Sequence, residues 1–246
     1  MCLLAIQLHV SNAIPLTLAA NREESYLRPS APPIFHNEAP RVVCGTDERA
    51  GGTWLGVNQY GLVVAVTNRP KQSAPESPRS RGILCRQLLQ CSSAHVAEHR
   101  ATTQISKGKY DGVNVICADA HSAYVLHGGD EFDSLELEPG LHLIAGGDID
   151  DENDPRLELA RGMFERESID NSDQFLQVAT KVMSYTSEQP GEPSIVLHGE
   201  DRGTVSSTLI TLANFRKKST YHFAQGPPNR VPYRDCSEHL HKVLGA

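Results

Sequence analysis

The stretch from Cys2 to Glu24 constrains this chain more than any other. Cys2 to Val10 is an apolar run that reads as a buried strand. Ser11-Asn12-Ala13 supplies turn residues, and Pro15 to Ala20 forms a second apolar run. Pro15 stands at the start of that run, where a strand loses no ladder donor. The pattern predicts an antiparallel hairpin. Two strands of similar length return to the same end, so Asn21-Arg22-Glu23-Glu24 is expected back beside Cys2.

That placement has a chemical meaning. Cys2 follows the initiator methionine and is small enough for Met1 to be trimmed away. Trimming leaves one residue with both a thiol and a free α-amino group. A thiol reacts as its thiolate and has an ordinary pKa of about 8.5. An α-amine, with a pKa of about 7.7–8.0, can accept its proton without a histidine. Nucleophile and base then share one residue. Glu23 is the candidate to orient the ammonium. Arg22 is the candidate to lower the thiol pKa or to hold an anionic substrate group. Asn21 and Asn68, at the ends of the second and fourth strands, are candidate oxyanion donors.

The remaining pattern sets the fold class. Arg28 to Pro40, with four prolines, reads as an ordered surface loop or extended segment. Further hairpins are predicted around Asn58-Gln59-Tyr60-Gly61 and Asp119-Ala120-His121. Helical patterns run over Ile83 to Gln90, Ala94 to Thr103, Pro155 to Glu165, Ser172 to Tyr185 and Ser237 to Leu244. Asp154 is placed to cap the third of these, with Pro155 at its first position. Strand patterns return at Leu141 to Ala145, Ile195 to His198, Thr204 to Leu212 and Thr220 to Ala224. Hairpins imply antiparallel sheets, and helices grouped between runs of strands imply α+β layering. A four-layer αββα sandwich fits this order. No linker divides the chain, so residues 1–246 read as one domain.

Composition narrows the partners. The formal charge of −7 argues against nucleic acid or an anionic membrane surface as the default partner. Arg216-Lys217-Lys218 is a short basic run against that background. No stretch of eighteen apolar residues exists, so no membrane span is expected. No Lys or Arg precedes Arg22, so no secretion signal is read. The six cysteines are widely spaced and form no C-x-x-C pair, which predicts free thiols in a reducing cytoplasm. The sequence carries no signal for oligomeric state.

Several segments together resemble a known family. Met1-Cys2-Leu3-Leu4 with Ala20-Asn21-Arg22-Glu23-Glu24 is similar to the opening of the NRDE family, also called transport-and-Golgi-organisation proteins. Gly51-Gly52-Thr53-Trp54-Leu55-Gly56-Val57-Asn58 with Gly61-Leu62, Thr67-Asn68-Arg69, Ser80-Arg81-Gly82, Asn114, Gly140-Leu141-His142, Ser206-Ser207-Thr208 and Gly226-Pro227-Pro228 extend the resemblance over essentially the whole chain. The family is similar in turn to cysteine-type N-terminal-nucleophile hydrolases of the choloylglycine hydrolase and penicillin V acylase group. The resemblance implies an αββα sandwich with Cys2 opening a central strand. It also implies Asn21, Glu23 and Asn68 in the positions of the hydrolase Asn, acid and oxyanion donor. Trp54, His142 and Ser206 are the residues it places near a substrate. It departs at Ala20, where the hydrolases carry arginine, at Glu23 in place of aspartate, at Ala145-Gly146-Gly147 and at Val205.

The expected activity is cleavage of a linear amide, or a related acyl transfer, through a Cys2 thioester, with no cofactor. The rival expectation is a non-catalytic protein that binds haem or an acyl or lipid ligand on the same fold. His95-Val96-Ala97-Glu98-His99 matches H-x-x-E-H. Ala94, Ala97 and Ala101 mark the buried side of that helix, so its histidines fall on the polar side and no metal site is expected. Neither phosphate-loop pattern is present.

Overall fold

A computed structural model describes residues 2–246. In chain order the first strands are β1 (Leu3–Ser11), β2 (Ile14–Ser25), β3 (Ser30–His36), β4 (Val42–Asp47), β5 (Leu55–Asn58) and β6 (Val63–Asn68). Helices α1 (Arg81–Leu88) and α2 (Ala94–Ile105) follow. Next come β7 (Val113–Ala118), β8 (Ala123–Gly128), β9 (Phe132–Glu136) and β10 (Gly140–Ile144). Helices α3 (Pro155–Glu165) and α4 (Ser172–Met183) lead to β11 (Arg202–Leu212), β12 (Thr220–Ala224), β13 (Arg234–Asp235) and α5 (Ser237–Leu244).

Two compact units result. The first comprises the residues up to Leu27 with Pro139–Ser237, and the second comprises Arg28–Glu138 with Glu238–Ala246. The first holds a six-stranded sheet in the order β10-β1-β2-β11-β12-β13, and the second a seven-stranded sheet in the order β3-β4-β5-β6-β7-β8-β9. The strand pairs in both sheets are antiparallel.

The first sheet's core follows from strict alternation. Leu3 and Ala5 of β1, Ala19 of β2, Leu143 of β10 and Leu209 of β11 face one way and pack with Leu157, Phe164, Phe175 and Val182 of α3 and α4. Burying each large side chain of this kind is worth roughly 1.5–3 kcal/mol. The opposite face is also buried, with Leu4, Ile6, Leu16 and Leu18 at 2% exposure or less. Asp154 caps α3 through the amides of Arg156 and Leu157, with Pro155 in the first turn. In the second unit, Leu84 and Leu88 of α1 and Ala97 and Ala101 of α2 pack with Val64, Val115 and Leu126 of the sheet.

The proline-rich segment after Arg28 takes the extended form of the two expected, as an edge strand, β3. Pro32 and Pro33 fall where its register against β4 shifts between Ala31 and Ile34, so their missing donors break no regular pair. Ile195 to His198 is not a strand and contributes only an isolated bridge from His198 to Gly203. Its backbone is committed elsewhere, with the amides of Ile195 and Val196 both donating to the Tyr185 carbonyl. Strand β9 carries no alternation that sequence reading could detect, since four of its five residues are exposed.

Asn58 is a structural staple of the second unit. Its amide donates to the Leu89 and Cys91 carbonyls at 3.0 and 2.7 Å, and its carbonyl accepts the amides of Tyr60 and Leu62. Gly52 meets Gly82 so closely that an added Cβ would lie 2.2 Å from the Gly82 carbonyl carbon. The Thr53 amide donates to that carbonyl at 3.0 Å. The two glycine-bearing motifs thus form one close backbone contact.

Candidate active site

The hairpin brings Cys2 and Glu23 together. Leu3 pairs with Asn21, and the Cys2 thiol lies against the Glu23 main chain. The Glu23 amide donates to Sγ at 3.3 Å, and Sγ is 3.8 Å from the Glu23 carbonyl oxygen. Burial and then the negative charge of Glu23 push the thiol up to about 11, opposed by the Glu23 amide and the Arg22 charge. The thiol is therefore neutral at pH 7 while Met1 precedes it in the chain.

Glu23 is 3% exposed. Its Oε1 accepts from Thr204 Oγ1 and from Arg156 Nη2, each at 3.3 Å. Burial pushes its carboxyl up to about 7, and Arg156 is the strongest influence holding it down. Thr204 reaches the carboxylate because β11 shifts register against β2 between Thr204 and Ser206. Val205 is the extra residue at that bulge, and such bulges re-aim the side chains beside them.

Arg156 was not visible as a site residue. It sits in the first turn of α3, with Nε donating to the Ser194 carbonyl at 3.1 Å and Nη2 to the Ile195 carbonyl at 3.0 Å. Its contact with Glu23 joins residues 133 positions apart. No local motif marks such a pairing, and only the fold makes it.

The other expected residues divide by sheet face. Arg22, 6% exposed, pairs with Ser206 across β2 and β11, so both project to the side of the sheet opposite Asn21. Ser206 is 2% exposed, and its hydroxyl has no hydrogen-bond partner among the described residues. Asn21 turns to the helix-covered side, where its amide donates to the Met183 carbonyl at 2.9 Å. That bond takes one of the two N–H groups of the Asn21 amide. His142 lies opposite Ile6, four residues along β1 from Cys2 and so about 13 Å away. Its Nδ1 is 2.6 Å from Asp150 Oδ2, and Asp150 also takes the Leu143 amide and Arg161. His142 thus anchors the loop that leads into α3.

Asn68 and Trp54 belong to the second unit. Asn68 pairs with Val113, a core residue on the helix-covered side of that sheet. Trp54 lies over Gly45, where a Cβ would come within 2.7 Å of the indole ring. On the side of the sheet opposite Asn68, a buried polar row crosses β6 to β8. Asn114 Oδ1 is 2.8 Å from His127 Nδ1, and Asn114 Nδ2 donates to Thr67 Oγ1 at 3.3 Å. On α2, Glu98 accepts from the hydroxyls of Thr102 and Ser134. Among the described residues, no group of three or more His, Cys, Asp or Glu is arranged to hold a metal ion. No described helix is long and apolar enough to cross a membrane.

Residues 1–222 match the family described as Transport and Golgi organisation 2. The chain belongs to that family. Among Transport and Golgi organisation 2 relatives, the human homologue is 32% identical over 139 residues, covering 53% of this chain and 50% of the relative. The Bos taurus homologue is 35% identical over 111 residues, covering 44% of this chain and 40% of the relative. The matches thus span about half or less of those relatives' length. Among solved structures, this family member is similar to a Caenorhabditis elegans N-acylethanolamine-hydrolyzing acid amidase ortholog, with TM-score 0.57 and 12% identity, covering 85% of this chain and 92% of that one. It is also similar to a conjugated bile acid hydrolase from Clostridium perfringens, with TM-score 0.54 and 10% identity, covering 97% and 93%. The likeness establishes the fold, the α+β sandwich of antiparallel sheets and helices found in N-terminal-nucleophile hydrolases.

Proposed function

We propose that this protein is an N-terminal-cysteine amidohydrolase that cleaves a linear amide through a thioester on Cys2, once Met1 has been removed. The observation that carries the reading is the contact of the Cys2 thiol with the Glu23 main chain, on a residue whose buried carboxylate is held by Arg156 and Thr204. A free Cys2 ammonium beside that thiol adds a positive charge where Glu23 now disfavours ionisation, and so lowers the thiol pKa.

The chemistry then balances on few groups. The α-amine takes the thiol proton, and Sγ attacks the amide carbonyl carbon. The C–N bond breaks as the ammonium returns a proton to the leaving nitrogen. Water, deprotonated by the same amine, attacks the thioester, releases the acid and restores the thiol. Glu23 fixes the ammonium, and Arg22 supplies positive charge near the thiol. Buried and without a partner among the described residues, the Ser206 hydroxyl stands about 10 Å across the strands from Cys2, at a distance suited to a substrate group rather than the reacting carbon. The two fold neighbours, an acid amidase and a bile acid hydrolase, support the reaction class.

Intact mass and turnover test this directly. Purified protein is expected to lack Met1, and Cys2→Ala and Cys2→Ser are each expected to lose at least about a thousandfold in turnover on a panel of N-acyl amides. Retention of Met1 in protein that turns over substrate, or unchanged turnover in both variants, would end the proposal.

A further inference from the structure

We infer that the turn between β11 and β12, residues 213–219, docks on an anionic lipid surface. The turn combines one exposed aromatic ring with three consecutive cations. Phe215 is 62% exposed, and Arg216–Lys218 form a single 3-10 turn with no buried side chain. Lys217 and Lys218 make no ion pair among the described residues.

This display is imposed by a fixed backbone. The Asn214 amide donates to the Ala13 carbonyl at 3.0 Å, and the Asn214 side chain donates to the Asn12 carbonyl at 2.7 Å. The Ala213 amide donates to Ser219 Oγ at 3.0 Å, and the Lys218 amide to the Phe215 carbonyl at 2.8 Å. Phe215 is therefore held outward by a pinned turn. Beside it lies a cavity of about 560 Å³ lined by Ala13, Ile14, Ala213, Phe215 and Lys218. Asp170 and Asp173 also line it, at the start of α4, so the positive character is confined to the turn itself.

Charge and shape choose the partner. In a chain of net charge −7, three adjacent cations are a local reversal of sign. Cations near an anionic bilayer each contribute about 1 kcal/mol, or about fivefold in partitioning. An exposed ring among them suits the headgroup boundary. The turn lies at the end of β1 remote from Cys2, about 30 Å along the strand, so docking leaves the Cys2 end clear.

Co-sedimentation tests the inference, using vesicles of phosphatidylcholine alone and vesicles with about one-third phosphatidylserine. The protein is expected on the anionic vesicles only, with binding that falls as salt rises. Lys217→Glu with Lys218→Glu is expected to lower partitioning at least about 25-fold. Phe215→Ser is expected to weaken it several-fold while keeping the salt dependence. Equal binding to both vesicle types, no binding to either, or unchanged partitioning in either folded variant overturns the inference. Displacement by millimolar glycerol phosphate also overturns it, by assigning the turn to free phosphate groups. Should the double charge reversal fail to fold, Lys217→Gln and Phe215→Ser decide between the same outcomes.

Discussion

Replacing Arg156 with methionine isolates what holds the Glu23 carboxylate ionised. Methionine keeps most of the apolar stem and removes the guanidinium. Two effects are separable by pH. At any pH the Ser194 and Ile195 carbonyls lose their donors, at about 1 kcal/mol each. Glu23 adds a second, pH-dependent effect. Its folded-state carboxyl stands at about 7, above the ordinary 4.5. A raised folded pKa means that Glu23's contribution to stability is fully present below about 4.5 and is lost as pH rises through about 7. Arg156 limits that loss, because it is the strongest influence lowering the pKa. Each further unit of rise in the variant adds about 1.4 kcal/mol of destabilisation at pH values above it. Urea unfolding followed by circular dichroism is therefore expected to show a deficit for Arg156→Met at pH 8 that exceeds its deficit at pH 5.5 by about 1 kcal/mol for a one-unit rise, with a ceiling of about 1.4 kcal/mol because pH 8 lies only one unit above the starting value. Adding Glu23→Gln should abolish the difference between the two pH values. A deficit that is the same at both, with Glu23 intact, would show that Arg156 only braces the loop and has no electrostatic hold on the site.

Two other perturbations probe the supports on either side of the chain. Asn58→Ala leaves two carbonyls and two amides without their buried partner, so a loss of about 3 kcal/mol is expected by chemical denaturation, with no change in any Cys2-dependent turnover normalised to folded protein. Asp150→Asn weakens the His142 and Arg161 contacts; a loss of about 1 kcal/mol is expected at pH 7, since the carboxylate is partly exposed. That contribution belongs to a carboxyl held below its ordinary 3.8, so it is present above that value and disappears as the pH falls through the folded-state pKa.

How much of this was legible depends on the sequence distance over which each feature acts. The hairpin of β1 and β2 was readable because two apolar runs and a turn determine it locally, and it alone predicts that Glu23 returns to Cys2. The helices over Pro155–Glu165 and Ser237–Leu244 were readable from caps and periodicity. Illegible features are those in which a partner arrives from elsewhere. Pro32 and Pro33 left loop and extended segment both open, because the register shift that accommodates them in a strand needs β4 alongside. Ile195 to His198 has strand composition, but Tyr185 and Arg156 take its backbone groups first. Asn21 sits beside Glu23 in sequence, yet strand alternation sends its amide to Met183 on the opposite face from Arg22.

Arg156 shows why a site can depart from its expected residues and still be built. At Ala20 and Val205, where the sequence resemblance leads one to expect arginine, this chain carries no charge. A buried carboxylate nonetheless needs a positive partner or must protonate. Here the partner is delivered from the first turn of α3, whose start is fixed by Asp154 and Pro155 and whose approach is fixed by the loop tied down through His142, Asp150 and Arg161. The requirement is for charge at a place, and strand residues are only one way to meet it. Val205, as the bulged residue, turns Thr204 toward Glu23 in the same region, so hydroxyl and guanidinium together complete what the strand sequence alone leaves open.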